Sequence, residues 1–316
     1  MHKIIPFKLI PQYREYVWGG NRIRPDAERT AEAWVVYEHN VIADGLLAGM
    51  TLAQAAEKYG EALLGSYVVK QTGIKFPLLI KILDPAMWLS LQVHPNNEQA
   101  QRWEGSGHFG KMEGWYVIAA DQGAQLISGF KPGVSSDTIR AAVGTKSLLD
   151  LVSWKEVQTG DSILIAPGTL HALGPGLMVY EVQQTSDITY RVYDWDRPKK
   201  AGRDLHLEQA ADVLDPEITG ALNHTEPRFI GQKKLFSCQF FTLDLYARQK
   251  EPLQKKLEGL TFQAITVVDG TAKVSGKDWQ SELGRFQTLL IPASVNQFTL
   301  ECLHGICLIA HVPVQT

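Results

Sequence analysis

The sequence is poor in cysteine, in surplus charge of either sign and in long apolar runs. Cys238, Cys302 and Cys307 are the three cysteines in 316 residues. They are odd in number, lie in apolar strand-like stretches and include no CxxC pair, which excludes a disulfide framework and a thiolate-ligated zinc site of the usual spacing. Buried free thiols in a reducing cytoplasm are the expectation. Lys and Arg number 31 against 34 Asp and Glu, a formal net charge of −3. With no basic excess, no nucleic-acid or membrane-surface partner is expected. No stretch approaches the roughly 18 consecutive apolar residues of a membrane-spanning helix. The opening "MHKIIPFKLIPQYREYVWGG" lacks the apolar core and small-residue cleavage site of a signal peptide, so none is expected.

Strand signals dominate what remains. "EAWVVYEH", "FPLLIKIL", "WLSLQVH", "GWYVIAA", "DSILIAP", "LMVYEVQQ", "ITYRVYD", "FFTLDLYA", "FQAITVVDGTAKVSG" and "GICLIAHV" are short, rich in β-branched and aromatic residues, and punctuated by Gly, Pro, Asp or Asn. Asp269-Gly270 reads as a hairpin turn. Helices are fewer: "TLAQAAEKYGEALLG" behind Thr51 as N-cap, "SSDTIRAAVG", "KSLLDLVS" and "HLEQAADVL". Many short strands with a few helices predict a mainly β sandwich or barrel. The segment 159–173, "TGDSILIAPGTLHAL", is similar to 283–298, "LGRFQTLLIPASVNQF". In both an apolar strand ends at a proline, Pro167 or Pro292; four residues later stand His171 and Asn296. That pairing predicts two barrels, the second without its histidine and without a metal site, divided near the turn-rich "DPEITGALNHTEP" into residues 1–220 and 221–316.

The stretch "LSLQVHPNN" carries the first chemical signal. Side chains alternate along a strand, so Ser90, Gln92 and His94 share the face opposite Leu89, Leu91 and Val93. In "GKMEGWYV" the same alternation groups Lys111, Glu113 and Trp115, and in "PGTLHAL" a tight turn delivers His171 at the start of a strand. Two imidazoles, a carboxylate and an amide oxygen are a ligand set for Zn²⁺, and the absence of thiolates favours a site open to water or substrate. Each residue also has a plain alternative: a turn histidine, a surface amide, a solvated glutamate.

Four blocks, "SLQVHP", "KMEGWY", "PGTLHAL" and "QQTSDITYRVYDWDR", occur in an order that resembles the type I mannose-6-phosphate isomerases in their short bacterial form. "REYVWGG", "AEAW" at 31–34 and "KFPLLIKILD" at 75–84 extend the resemblance over about the first two-thirds of the chain. It implies cupin (double-stranded β-helix) barrels, two in tandem, with one Zn²⁺ per chain in the first. It also implies interconversion of mannose 6-phosphate and fructose 6-phosphate, with a sugar phosphate as the partner molecule. Carried over residue by residue, the metal ligands fall on Gln92, His94, Glu113 and His171. The catalytic arginine falls on Arg191, the acidic residue just before it on Asp187, the lysine before the glutamate on Lys111 and the serine before the glutamine on Ser90. Departures are Met112 and Gly114 flanking Glu113, where the short form reads T-E-C-W-Y, and Leu173, where larger members carry tyrosine.

Aldose–ketose isomerisation moves hydrogen between adjacent carbons of the open-chain sugar, and a divalent cation on the two oxygens stabilises an enediolate. Arg191 is expected to face the developing charge. Arg197, Lys199, Lys200 and Arg203 follow it closely and are candidates for the phosphate, or form a solvated loop. Other readings on the same residues are an iron enzyme using two His and a carboxylate, an isomerase of another sugar phosphate, and a non-catalytic sugar-binding cupin. Nothing in the sequence fixes an oligomeric state.

Overall fold

The structure is a computed structural model that describes residues 4–27, 29–198 and 204–314. Strands dominate it. The chain forms two compact units: Met1–Gln12, Ala33–Lys81 and Glu226–Thr316 in the first, Tyr13–Glu32 and Ile82–Thr225 in the second. Met1–Gln12 and Ala33–Lys81 group with the C-terminal segment Glu226–Thr316. The physical ties are direct. The strand Phe7–Lys8 pairs with Thr288–Ile291. Gly65 lies so close to Leu260 that a Cβ there would come within 2.2 Å of its carbonyl oxygen.

The second unit holds two antiparallel stacks of strands. One runs in the order Tyr190–Tyr193, Leu91–Val93, His171–Leu173, Gln125–Phe130, Val152–Glu156. The other contains, in order, Asn223–His224, Asp161–Ile165, Glu113–Ala120 and Leu177–Gln184. Leu91 and Val93 pack with Leu170, Ala172, Tyr190 and Val192. Leu89 joins a different cluster, with Trp115, Val117, Ile163, Ile165 and Leu173. The three apolar residues read as one face therefore serve two cores, because the regular strand begins only at Leu91.

The first unit is built on two long strands, Thr242–Lys256 and Gln297–His311, whose pairing is interrupted by bulges. Asp269-Gly270 turns the chain but joins no hairpin. The strands either side of it, Gln263–Asp269 and Ala272–Gly276, both pair with Gln297–His311, the first reaching Ile306 and the second starting at Glu301. Gly270 sits at φ +68°, and a Cβ there would meet the His304 carbonyl oxygen at 2.4 Å. The residue thus serves a step along one partner strand, past its bulge, rather than a reversal. The helix Leu52–Tyr59 begins as expected at Thr51, whose side chain accepts from Gln54 while Gln54 reaches back, a capping box worth about 1 kcal/mol.

Candidate metal centre

His171 opens the middle strand of its sheet, across from Gln92 on one side and Ser128 on the other. Arg191 lies across from Gln92 on the far side, so Arg191, Gln92 and His171 form a row over three neighbouring strands. Glu113 opens a strand of the other stack, between Ile165 and Gln183. His94 follows directly on Leu91–Val93, and its carbonyl accepts the Gly168 N–H at 3.0 Å. Gly168 has φ +90° and stands where a Cβ would press on the Val213 carbonyl oxygen at 3.2 Å. Only glycine suits that turn, and the turn sets His171 in place.

The donors converge. His94 Nε2 lies 3.4 Å from Glu113 Oε2, and His171 Nε2 lies 3.3 Å from Glu113 Oε1. Two donors each about 2.1 Å from a tetrahedral ion stand roughly 3.4 Å apart, so these separations fit zinc. His94, Glu113 and His171 are the group of His, Cys, Asp or Glu side chains close enough to share a metal ion among the described residues, their donor atoms all within 4.8 Å. All three are buried, and both carboxylate oxygens of Glu113 accept no hydrogen bond among the described residues. A buried carboxylate without hydrogen-bond donors calls for a cation. Lys111 supplies one, its Nζ 3.0 Å from Glu113 Oε2 and 3.1 Å from His94 Nε2. Gln92 Nε2 is 3.2 Å from His171 Nε2, and a half-turn of the terminal torsion would present its oxygen instead.

The electrostatics favour metal-ready protonation states. Burial pushes His94 down to about 3, with Lys111 adding to the effect and Glu113 opposing it. Burial also lowers His171, against the pull of Glu113 and of its bond to Thr169. Burial alone would raise the Glu113 carboxyl, but Lys111, His94 and His171 outweigh it and hold the group well below the usual carboxylate range. At neutral pH the set is two neutral imidazoles and one carboxylate, the forms that ligate metal. Around them the second layer is firm. His171 Nδ1 donates to the Thr169 carbonyl at 2.9 Å, which leaves Nε2 bare and facing the centre. Trp115 packs edge-on against the His171 ring, at 5.5 Å, while its N–H donates to Glu181 at 2.9 Å.

Comparison with known proteins agrees with this geometry. Residues 6–109 match the family Phosphomannose isomerase type I, catalytic domain. The chain is 33% identical over 313 residues to Mannose-6-phosphate isomerase of Streptococcus mutans serotype c (strain ATCC 700610 / UA159), covering 94% of this chain and 95% of that one. The chain belongs to the type I mannose-6-phosphate isomerase family. The Mannose 6-Phosphate Isomerase from Bacillus subtilis, solved by crystallography, superposes with a TM-score of 0.86 at 27% identity, over 98% of this chain and 100% of that one. A zinc-bound mannose 6-phosphate isomerase matches with a TM-score of 0.78 at 15% identity, over 98% of this chain and 100% of that chain. The mainly β, cupin-type architecture of the mannose-6-phosphate isomerases is thus the architecture of this chain.

Within that family frame, the remaining candidate residues fall at unequal distances from the centre. Ser90 is buried and accepts from Arg191 Nε at 3.2 Å. Asp187 is exposed in the connection before Tyr190–Tyr193, with its backbone carbonyl accepting from Thr189 at 3.4 Å. Arg197 is engaged structurally, donating to Asp194 at 2.9 Å and to the Trp88 carbonyl. Lys199, Lys200 and Arg203 lie outside the described residues. Strand alternation alone would put Tyr193 on the Arg191 face, but a bulge lies between them. Tyr193 turns into the core and donates to Asp196 at 3.0 Å. Sequence reading missed Thr169, Glu181 and His206 as supports. A carbonyl has no side-chain signal, and the other two act through contacts distant in sequence.

Proposed function

We propose that the protein interconverts mannose 6-phosphate and fructose 6-phosphate, with one zinc ion held by His94, Glu113 and His171 and completed by Gln92. The observation that carries this reading is the convergence of the buried His94, Glu113 and His171, whose donor atoms all lie within 4.8 Å of one another. Zinc held there would supply Lewis-acid stabilisation of the negative charge that develops on the sugar's oxygens. In the forward direction the C2 proton of the open-chain aldose is removed, a proton is delivered to C1, and the O2 proton passes to O1. Negative charge develops on oxygen during the transfer.

Arg191 is suited to meet that charge. Ser90 and the Asp204 carbonyl anchor its Nε and Nη1, at 3.2 and 2.9 Å. A guanidinium held at two points loses little freedom when it acts. Lys111 adds positive charge beside Glu113, inside the buried wall. Ser90 acts by orienting Arg191, and the exposed Asp187 is assigned to sugar hydroxyls. No described helix is long and apolar enough to cross a membrane, and free thiols at Cys238, Cys302 and Cys307 support a cytoplasmic setting.

The test is direct. Zinc-loaded protein incubated with mannose 6-phosphate is expected to form fructose 6-phosphate in a coupled assay, chelation to abolish it and added zinc to restore it. Turnover of a different sugar phosphate alone, or none with zinc fully loaded, would replace this reading.

A further inference from the structure

We infer that His206 is a positioning residue for Arg191, holding the backbone from which the guanidinium is aimed; the inference rests on the role proposed for Arg191. Among the described residues the strand Tyr190–Tyr193 is the edge of its sheet, with no strand beside one of its flanks. Edge strands with unpaired N–H and C=O groups slip and fray unless something covers them. At Arg191 a histidine covers that flank. The Arg191 N–H donates to His206 Nδ1 at 3.2 Å, and the His206 N–H donates back to the Arg191 carbonyl at 2.9 Å. Two residues earlier, the Asp204 carbonyl accepts from Arg191 Nη1 at 2.9 Å. Residues 204–206 therefore grip Arg191 at its amide, its carbonyl and its guanidinium together.

The ring is itself held. Its centroid is 6.2 Å from that of Tyr190, whose hydroxyl donates to Glu104 at 2.9 Å. His206 also precedes the helix Leu207–Val213, whose Ala210 N–H donates to the His206 carbonyl at 2.9 Å. At an N-cap position a side chain ordinarily turns back to cap its own helix, and this one makes no such bond. Its acceptor is spent on Arg191 instead. Because Nδ1 accepts, the ring carries its proton on Nε2.

The row across the strands gives the contact its consequence. Arg191 faces Gln92, and Gln92 faces His171. A shift of the edge strand would carry the guanidinium off Ser90 and away from the metal centre while leaving the metal ligands on their inner strands. A displacement of about 1 Å in a catalytic group can cost up to 10²-fold in rate. His206→Ala is accordingly expected to lower kcat about tenfold, with bound metal unchanged. His206→Asn, which keeps an acceptor at the same branch point, is expected to recover to within about threefold of the parent. In an Arg191→Ala background, His206→Ala is expected to cost less than about twofold more, since residues acting as a unit are not additive.

The experiment measures kcat, KM and metal content for His206→Ala, His206→Asn, Arg191→Ala and the double variant. Equal losses from His206→Ala with and without Arg191 would make His206 a structural residue and overturn the inference. So would a fully active His206→Ala beside a crippled Arg191→Ala. A fully active Arg191→Ala would instead overturn the role of Arg191, and this inference with it. If His206→Ala fails to fold, His206→Asn and His206→Gln decide. Asn is expected to be active and Gln, whose acceptor is displaced by one methylene, to be slowed; equal activities would refute positioning.

Discussion

Two segments of the chain fold alike and end differently. Asp161–Ile165 leads through a tight turn to His171, and Thr288–Ile291 leads through another to Gln297–His311. Matched on their prolines, His171 answers to Asn296. Matched on hydrogen bonds, the answer moves by one. Thr169 donates to Ala166 in the first turn and Val295 to Pro292 in the second, so the second turn closes one residue later. Strand register agrees. Glu113 lies across from Ile165 and Gln263 across from Ile291; His171 is six residues beyond the one and Gln297 six beyond the other. Lys256 lies across from Gln297 as Gln92 lies across from His171. The carboxylate has become an amide, the imidazole an exposed amide and the neutral amide an ammonium. The buried Gln263 accepts from Lys255 at 2.8 Å and needs no cation beyond it. One framework thus carries different side chains at the positions of three of the four candidate ligands, Glu113, His171 and Gln92.

The largest effect is expected from rewriting the first segment toward the second. Glu113→Gln leaves neutral donors only, and the buried site loses the charge that draws a cation. Bound metal should fall below a tenth of an ion per chain and activity by about 10³-fold, the several kcal/mol a Lewis acid supplies. Elemental analysis beside the isomerase assay checks both. A variant retaining its ion at full activity would show that the carboxylate is not what separates the two segments.

Arg191→Ala comes next and leaves the ligands alone. A fall in kcat of about 10²–10³-fold with unchanged zinc is expected, since that is the usual worth of a preorganised charge at the transition state. Thr189→Ala, just before the same strand, is the control and should cost much less. The division of the loss between kcat and KM reports whether Arg191 also binds ground-state substrate. A near-parental kcat would leave the metal centre as the sole difference between the segments.

The cluster of His94, Glu113 and His171 was legible because these residues lie where strand alternation and a recognisable order of motifs coincide. What stayed hidden depends on breaks in regularity. The bulge after Arg191 sends Tyr193 into the core, against the period of two. Asn97–Glu104 escaped notice because its buried surface is one alanine, Ala100, so it has no apolar stripe. Its start was nonetheless marked by Asn96 and Gln99, which form a capping box. The charged end of Thr242–Lys256 looks like a loop in sequence and is kept in the sheet by pairing with Gln297–Leu300. The grip of His206 on Arg191 spans fifteen residues and has no periodic signature at all.

Gln92 tests the subtlest of the three exchanges. Its amide neighbours His171 without the charge or burial of Glu113, so Gln92→Ala should weaken zinc by about tenfold, the scale of an outer ligand or its support. Gln92→Lys, the residue of the second segment, should weaken it further, because an ammonium would stand beside the ion. Competition against a chelator of known affinity measures both. Equal affinities for the two variants would mean that charge at this position is screened from the centre.

The smallest effect is expected where the second segment is moved toward the first. Gln263→Glu restores the carboxylate across from Ile291, yet Gln297 and Lys256 remain exposed amide and ammonium. Lys255, whose Nζ already contacts Gln263, would take up the new charge as a close ion pair. A buried pair of this kind returns little net stability, so Tm should move by no more than a few degrees. Activity should stay within about twofold of the parent, as it should in Asn296→Ala, because neither residue is among those proposed to hold the ion. Zinc per chain should remain at one. A second ion in Gln263→Glu would mean that the carboxylate alone makes the site, and that the histidines of the first segment serve some other end.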